Sequence, residues 1–289
     1  RNKLKKSIFL MWLTVIFWGV SFVATKVVVD AIDPVIAAFI RFNIAWVVMF
    51  VFIRKFNKYS KKDLFYLFVA SFFGVTAYFL FENSGLMYTT ATNASLIISA
   101  TPLVYLLVSD ILKKKLSGRI RYVGTAVAFG GVAILVMNGS FFLKLNPLGD
   151  LLMFGAVVSW VIYTIAEEKL HHLDNKIVSR DINFLGALFF IPFLFFSEHK
   201  LTVWGKGEIG FQTVAGLIYL GVFCSALGYI FWNKAIRDCG AKTATNGIYF
   251  IPVVTVVADA VILGNIPNIY ALGGAALVLA GTYISEIKS

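Results

Sequence analysis

Ten apolar stretches, most of them roughly 17–25 residues long and divided by short polar loops, constrain this chain more than any other feature. They run approximately over Ile8–Val29, Pro34–Ile53, Leu64–Glu82, Asn93–Leu112, Arg121–Met137, Leu148–Ile165, Ile182–Phe196, Phe211–Trp232, Ala244–Leu263 and Ile269–Ile287, the seventh being the shortest. A helix of this length crosses a hydrocarbon core of about 30 Å and satisfies its own backbone in doing so. Of 289 residues, 59% are hydrophobic and 14% charged, against about 25% charged in soluble domains. One soluble core cannot hide that much apolar surface. The expected class is an all-α integral membrane protein with ten transmembrane helices, and the lipid bilayer is its first partner.

A net charge of +11 would otherwise suggest nucleic acid. The bases lie in short loops between apolar spans rather than on one patch, so nucleic acid is excluded. With the N-terminus inside, 21 of the 26 Lys and Arg fall on one side. Lys26, Lys144, Lys200 and Lys206 fall on the other, and Arg41 lies within the second span. Both termini are therefore expected in the cytoplasm, in a multi-pass cytoplasmic (inner) membrane protein. The first apolar run reads as a retained helix, because no small-residue cleavage site follows it. Cys224 and Cys239 are expected at opposite ends of one helix, about 22 Å apart, so neither a disulfide nor a metal or redox framework follows. No cofactor is expected.

The chain also repeats itself. Phe73–Val104 echoes at Phe223–Val254 with a constant shift. Asn83 meets Asn233, Ala94 meets Ala244, Pro102 meets Pro252, and the register holds through Gly124/Gly274 and Gly131/Gly281. Trp18 and Trp160 echo more weakly. A fixed offset carrying Asn, Pro and Gly pairs marks a duplicated unit. Each unit holds an odd number of spans, so the second enters the membrane from the opposite face. Two inverted five-helix repeats, 1–140 and 141–289 with the break around Asn138–Pro147, suit an alternating-access carrier with a site near the midplane.

At this point the residues resemble a known family. Phe17–Lys26 (FWGVSFVATK), Ile40–Ala45 (IRFNIA) and Glu82–Ile97 (ENSGLMYTTATNASLI), with Pro102, Gly124 and Gly131, are similar to the drug/metabolite transporter superfamily, specifically its EamA-type carriers. The resemblance spans nearly the whole chain. It implies a secondary transporter for a small organic metabolite and leaves the substrate open. A glycine–glutamate pair often closes the fourth and ninth helices of the family; here those places read Ser109-Asp110 and Gly264-Asn265.

Polar residues inside apolar spans are expensive, so they are the candidate site. Thr14, Trp18, Ser21 and Thr25 share one helical face, as do Ser71, Gly74, Tyr78 and Glu82. Trp160, Tyr163, Thr164 and Glu167 form a third face, and Ser225, Tyr229, Trp232 and Asn233 a fourth. Ser95 and Ser99 precede Pro102; Thr245, Asn246 and Tyr249 precede Pro252. The substrate-binding set is Trp18, Ser21, Tyr78, Glu82, Ser99, Trp160, Tyr163, Tyr229, Trp232, Asn246 and Tyr249. Trp and Tyr also collect at membrane interfaces, and small polar residues also join helices. Asn83 and Asn233 read as a packing device common to both repeats.

Glu82 has Trp232 as its repeat counterpart, so nothing symmetric demands an acid there. It reads either as an ion pair with Arg41 or as a site for a cationic group or a proton; Asp259 is a second acid within a span. Pro102 and Pro252 are expected to kink their helices and serve as matched gates. The small-residue ridges Gly124/Ala128 and Ala276/Ala280 read as close helix packing. Three motifs are decoys. Gly205–Gly210 matches G-x-G-x-x-G without a βαβ unit, Glu168–His171 is half of a di-iron pair, and Asn93–Ser95 is a sequon opening a span. The reading is a gradient-driven carrier and no enzyme, foremost an amino-acid or metabolite exporter, with protons the candidate coupling ion. The alternative is an organic-cation carrier with a Trp/Tyr cage around Glu82.

Overall fold

The computed structural model describes residues 2–89, 91–137, 147–196, 209–263 and 269–287. Lys144, Lys200, Lys206, Gly264-Asn265 and most of Asn138–Pro147 and Gly205–Gly210 lie outside them, as do the side chains of Asn93 and Asp259. Among the described residues every regular element is helical. The first are α1 (Asn2–Ala31) and α2 (Pro34–Phe52). Asp33 caps α2 by accepting from the Val35 and Ile36 amides, with Pro34 in the first turn, where its missing N–H costs nothing. A Ser60/Asp63 capping box opens α3 (Lys61–Ser71). That helix widens into a π segment, Phe72–Ala77, and continues as α4 (Tyr78–Tyr88). After α5 (Ala91–Ile98) and α6 (Thr101–Lys113) the chain turns at left-handed Lys114 into α7 (Arg119–Met137).

The order then runs α8 (Pro147–Glu168), α9 (Asn175–Phe189), α10 (Ile191–Phe196) and α11 (Phe211–Tyr219), which widens into a second π segment, Leu220–Leu227, and continues as α12 (Gly228–Cys239). Gly240, at φ 85°, turns the chain into α13 (Ala241–Asn246). A 3-10 turn (Gly247–Phe250) leads into α14 (Ile251–Leu263), and α15 (Ile269–Glu286) follows.

Among the described residues, seven helical runs are long and apolar enough to cross a membrane: Leu4–Ala31, Pro34–Phe52, Lys61–Tyr88, Ala94–Lys113, Pro147–Glu168, Asn175–Phe195 and Phe211–Cys239. The other three expected spans fall on α7, on α13 with α14, and on α15. The chain's exterior is correspondingly apolar, with Phe52, Phe195, Phe211 and Val261 at least 77% exposed. The seventh stretch begins at Asn175, not Ile182. Its first turns carry Arg180 and Asn183, which depress hydropathy but are buried; Arg180 donates to the Ile53 and Lys55 carbonyls and to Asp181. Beside it, Tyr59 donates to Asp181 at 2.6 Å, and burial with that carboxylate raises its pKa.

Two local expectations change. Pro102 and Pro252 do not kink continuous helices. Each is the second residue of a restarted helix, after a break at Ser99–Ala100 and after the 3-10 turn. The ridge on α15 is Gly274, Val278, Gly281 and Ser285, while Ala276 and Ala280 are exposed. A methyl at Gly281 would meet the Ala128 amide nitrogen at 2.2 Å, and one at Gly124 the Ser285 amide nitrogen at 2.2 Å, so α7 and α15 meet backbone to backbone. The asparagine pair acts at matched places. Asn83 donates to the Pro34 carbonyl at the start of α2, and Asn233 to Ser179 in the first turns of α9, both at 3.0 Å.

Candidate functional site

A narrow cavity lies among α1, α2, α4, α8, α12 and the two broken helices. Trp18, Ser21, Tyr78, Glu82, Trp160 and Tyr229 line it, as the helical faces predict. Arg41 joins them, with Phe22, Phe79, Ile98, Thr101, Ile248 and Ile251 as apolar or small walls that sequence reasoning missed. Phe79 follows Tyr78 directly, and Thr101 precedes Pro102. Those adjacencies are the only signals the sequence carried for them.

The rings are held from both π segments. Such a segment turns more widely than an α-helix and leaves carbonyls aimed sideways. The Trp18 indole donates to the Cys224 carbonyl in Leu220–Leu227 at 2.9 Å. The Tyr229 hydroxyl donates to the Gly74 carbonyl in Phe72–Ala77. Gly74 must lack a side chain, because a methyl there would sit 2.3 Å from the Tyr163 ring. Trp160 stands at the centre, its ring centroid 5.2 Å from Trp18, 5.0 Å from Tyr78, 4.7 Å from Tyr163 and 6.0 Å from Tyr229.

The remaining sequence candidates lie elsewhere. Ser99 is spent on its own helix, donating to the Ser95 carbonyl at 2.7 Å; Thr14, Thr164 and Thr245 do the same four residues back. Tyr163 donates to Asn233 behind the cavity, and Trp232 packs on Trp18 at 4.9 Å. Tyr249 sits on the 3-10 turn, whose tighter winding rotates it into a cluster with Leu96, Val132 and Val278. Ile248 and Ile251 face the cavity instead. Asn246 donates to Ser285 and Glu286, next to a second hollow that Pro102 lines; Pro252 is buried outside both.

Arg41 and Glu82 form no ion pair within 4.0 Å. The Arg41 Nε donates to Ser225 at 2.7 Å, and its guanidinium lies 4.3 Å over the Phe79 ring. Both residues are 4% exposed. The Tyr78 hydroxyl is a hydrogen-bonding neighbour of the Glu82 carboxylate.

Charge gathers at the end of the bundle that holds loop residues 53–60, 114–118 and 169–174. Asp110 accepts from the Ser117 amide and Tyr122 at 2.6 Å and from Lys242. Glu168 accepts from Tyr105 at 2.8 Å and Lys113 at 3.2 Å, so it closes a helix end rather than holding metal. Among the described residues no cluster of His, Cys, Asp and Glu could hold a metal ion. Cys224 and Cys239 are free thiols.

The model of the EamA-like transporter family matches residues 5–137 and again 147–286. An uncharacterised transporter of Archaeoglobus fulgidus is 30% identical, over 98% of each chain. A probable terminal-alkyne amino-acid exporter of Streptantibioticus cattleyicolor is 25% identical over 98% of this chain and 94% of its own. A probable amino-acid metabolite efflux pump of Salmonella typhimurium is 26% identical over 97% and 95%. A solved crystal structure superposes with a TM-score of 0.78 over 98% of each chain at 16% identity, a likeness of fold.

Proposed function

Because this chain belongs to the EamA-like transporter family, we propose that it is a secondary carrier moving a small organic metabolite across the cytoplasmic membrane by alternating access. An amino-acid or related metabolite exporter is the foremost form. Ten spans in two inverted repeats, 1–140 and 141–289, with both termini cytoplasmic, complete the reading. The two family matches and the π segments at corresponding places in the two halves support it. The breaks before Pro102 and Pro252 are its gates, since a helix already interrupted bends at little cost.

One observation carries the proposal. A mostly apolar cavity walled by Trp18, Tyr78, Trp160 and Tyr229 lies within the helical bundle with two charged groups in its lining. It suits a ligand with an apolar body and a small polar head. The aromatic ring set with Glu82 also favours a second reading, an organic cation held by cation–π contact, with protons as the coupling ion in either case. Purified protein reconstituted in liposomes tests the first. Vesicles loaded with labelled phenylalanine are expected to release it faster than protein-free vesicles, without chemical change. Equal rates for phenylalanine, with faster release of a labelled quaternary amine, would move the assignment to the second reading.

A further inference from the structure

The cavity holds two buried groups of opposite sign that do not satisfy each other. Arg41 is held by its place over the Phe79 ring and by its Nε bond to Ser225. Among the described residues no ion pair joins its terminal nitrogens to the Glu82 carboxylate, which has the Tyr78 hydroxyl as a hydrogen-bonding neighbour, and both charged side chains line the open space. A buried charge with no opposite charge in ion-pair contact is costly. The arrangement therefore asks for a ligand, and it restricts which. A purely cationic ligand at Glu82 would face the Arg41 guanidinium with like charge. A purely anionic one at Arg41 would face Glu82.

We propose that Arg41 recognises the carboxylate of a zwitterionic substrate whose ammonium group lies at Glu82, so that the two residues together select an α-amino acid over its one-ended analogues. This rests on the exporter reading and deepens it. A planar guanidinium carries an edge of two donors, the geometry that a carboxylate fills with parallel hydrogen bonds. Phe22, Ile98, Ile248 and Ile251 then receive the apolar side chain.

The test uses detergent-purified full chain and three probes: L-phenylalanine, 2-phenylethylamine, which lacks the carboxylate, and 3-phenylpropanoate, which lacks the ammonium group. Calorimetry is expected to give phenylalanine at least about tenfold tighter binding than either analogue, the scale of one charged hydrogen-bonding contact. Arg41→Gln is expected to weaken phenylalanine by about tenfold and leave 2-phenylethylamine within about twofold, while Glu82→Gln spares 3-phenylpropanoate instead. Arg41→Lys keeps the charge without the fork and falls between. Should Arg41→Gln not fold, the wild-type ranking and Arg41→Lys decide. Phenylalanine binding that Arg41→Gln leaves unchanged, or 2-phenylethylamine binding as tightly as phenylalanine to wild type, overturns this inference and leaves the exporter reading standing. If none of the three binds and a quaternary amine does, the exporter reading itself falls.

Discussion

The seam between α7 and α15 and the aromatic cluster around Trp160 are both buried, and they are built from opposite materials. At the seam, methyl groups placed on Gly124, Gly131, Gly274 or Gly281 would meet backbone nitrogens of the facing helix at 2.2–2.7 Å. Backbone pressed on backbone has one fit. In the cluster, rings meet rings at interplanar angles from 49° to 89°, and the indole nitrogens of Trp160 and Trp232 have no partner among the described residues. Rings in contact can slide and tilt with small changes in energy. The difference assigns rigidity to the seam and adjustability to the cluster, which is where the carrier mechanism proposed above needs a change of shape.

The seam offers the largest expected effect. Gly281→Leu puts a branched side chain where even a methyl lies 2.2 Å from the Ala128 nitrogen. Relief requires the helices to part, and a loss of at least about 3 kcal/mol is expected. Thermal melting and size-exclusion chromatography in detergent would read it as a collapse in melting temperature or in the folded peak. A variant that elutes and melts like wild type would mean that the seam yields and the contrast is false. The cluster predicts a smaller effect. Tyr229→Phe removes the hydrogen bond to the Gly74 carbonyl and keeps every ring contact, so a cost of about 1 kcal/mol is expected. A drop as large as that at Gly281 would show the cluster to be as exacting as the seam.

How far this contrast was legible in the sequence depends on which physics sets each part. Hydropathy and loop charge locate the apolar stretches, because lipid solubility is a property of composition. Helical periodicity brings Trp18, Ser21, Tyr78, Glu82, Trp160 and Tyr229 to one cavity. It fails for Tyr249, because a 3-10 turn replaces the 3.6-residue period there, and for Ser99, whose hydroxyl finds its own helix at the break. Nothing in Phe72–Ala77 announces a π segment, and its contacts are with Tyr163 and Tyr229, more than 80 residues away. Arg41 and Glu82 were visible as charges within apolar spans. Their separation depends on Phe79 and Ser225 holding the guanidinium, which only the assembled helices decide.

The smallest effect tests the seam from its back. Spacing alone offers two ridges of small residues on α15, Ala276/Ala280 and Gly274/Gly281, about a quarter-turn or more apart around the helix. Only the second faces α7; Ala276 and Ala280 are exposed. On a tenth span, as proposed above, that exposed face meets acyl chains, which accommodate leucine at least as readily as alanine. Ala276→Leu is therefore expected to change stability by less than about 0.5 kcal/mol, the ordinary range for a surface substitution. The same melting assay in detergent checks it beside Gly281→Leu, five residues further along one helix. A large loss at Ala276 would place that ridge in a contact, with another helix or a second copy of the chain, and the seam would no longer be the single exacting surface of α15. A null effect there with a collapse at Gly281 fixes the rigid contact to one side of the helix and leaves the cluster free to move against it.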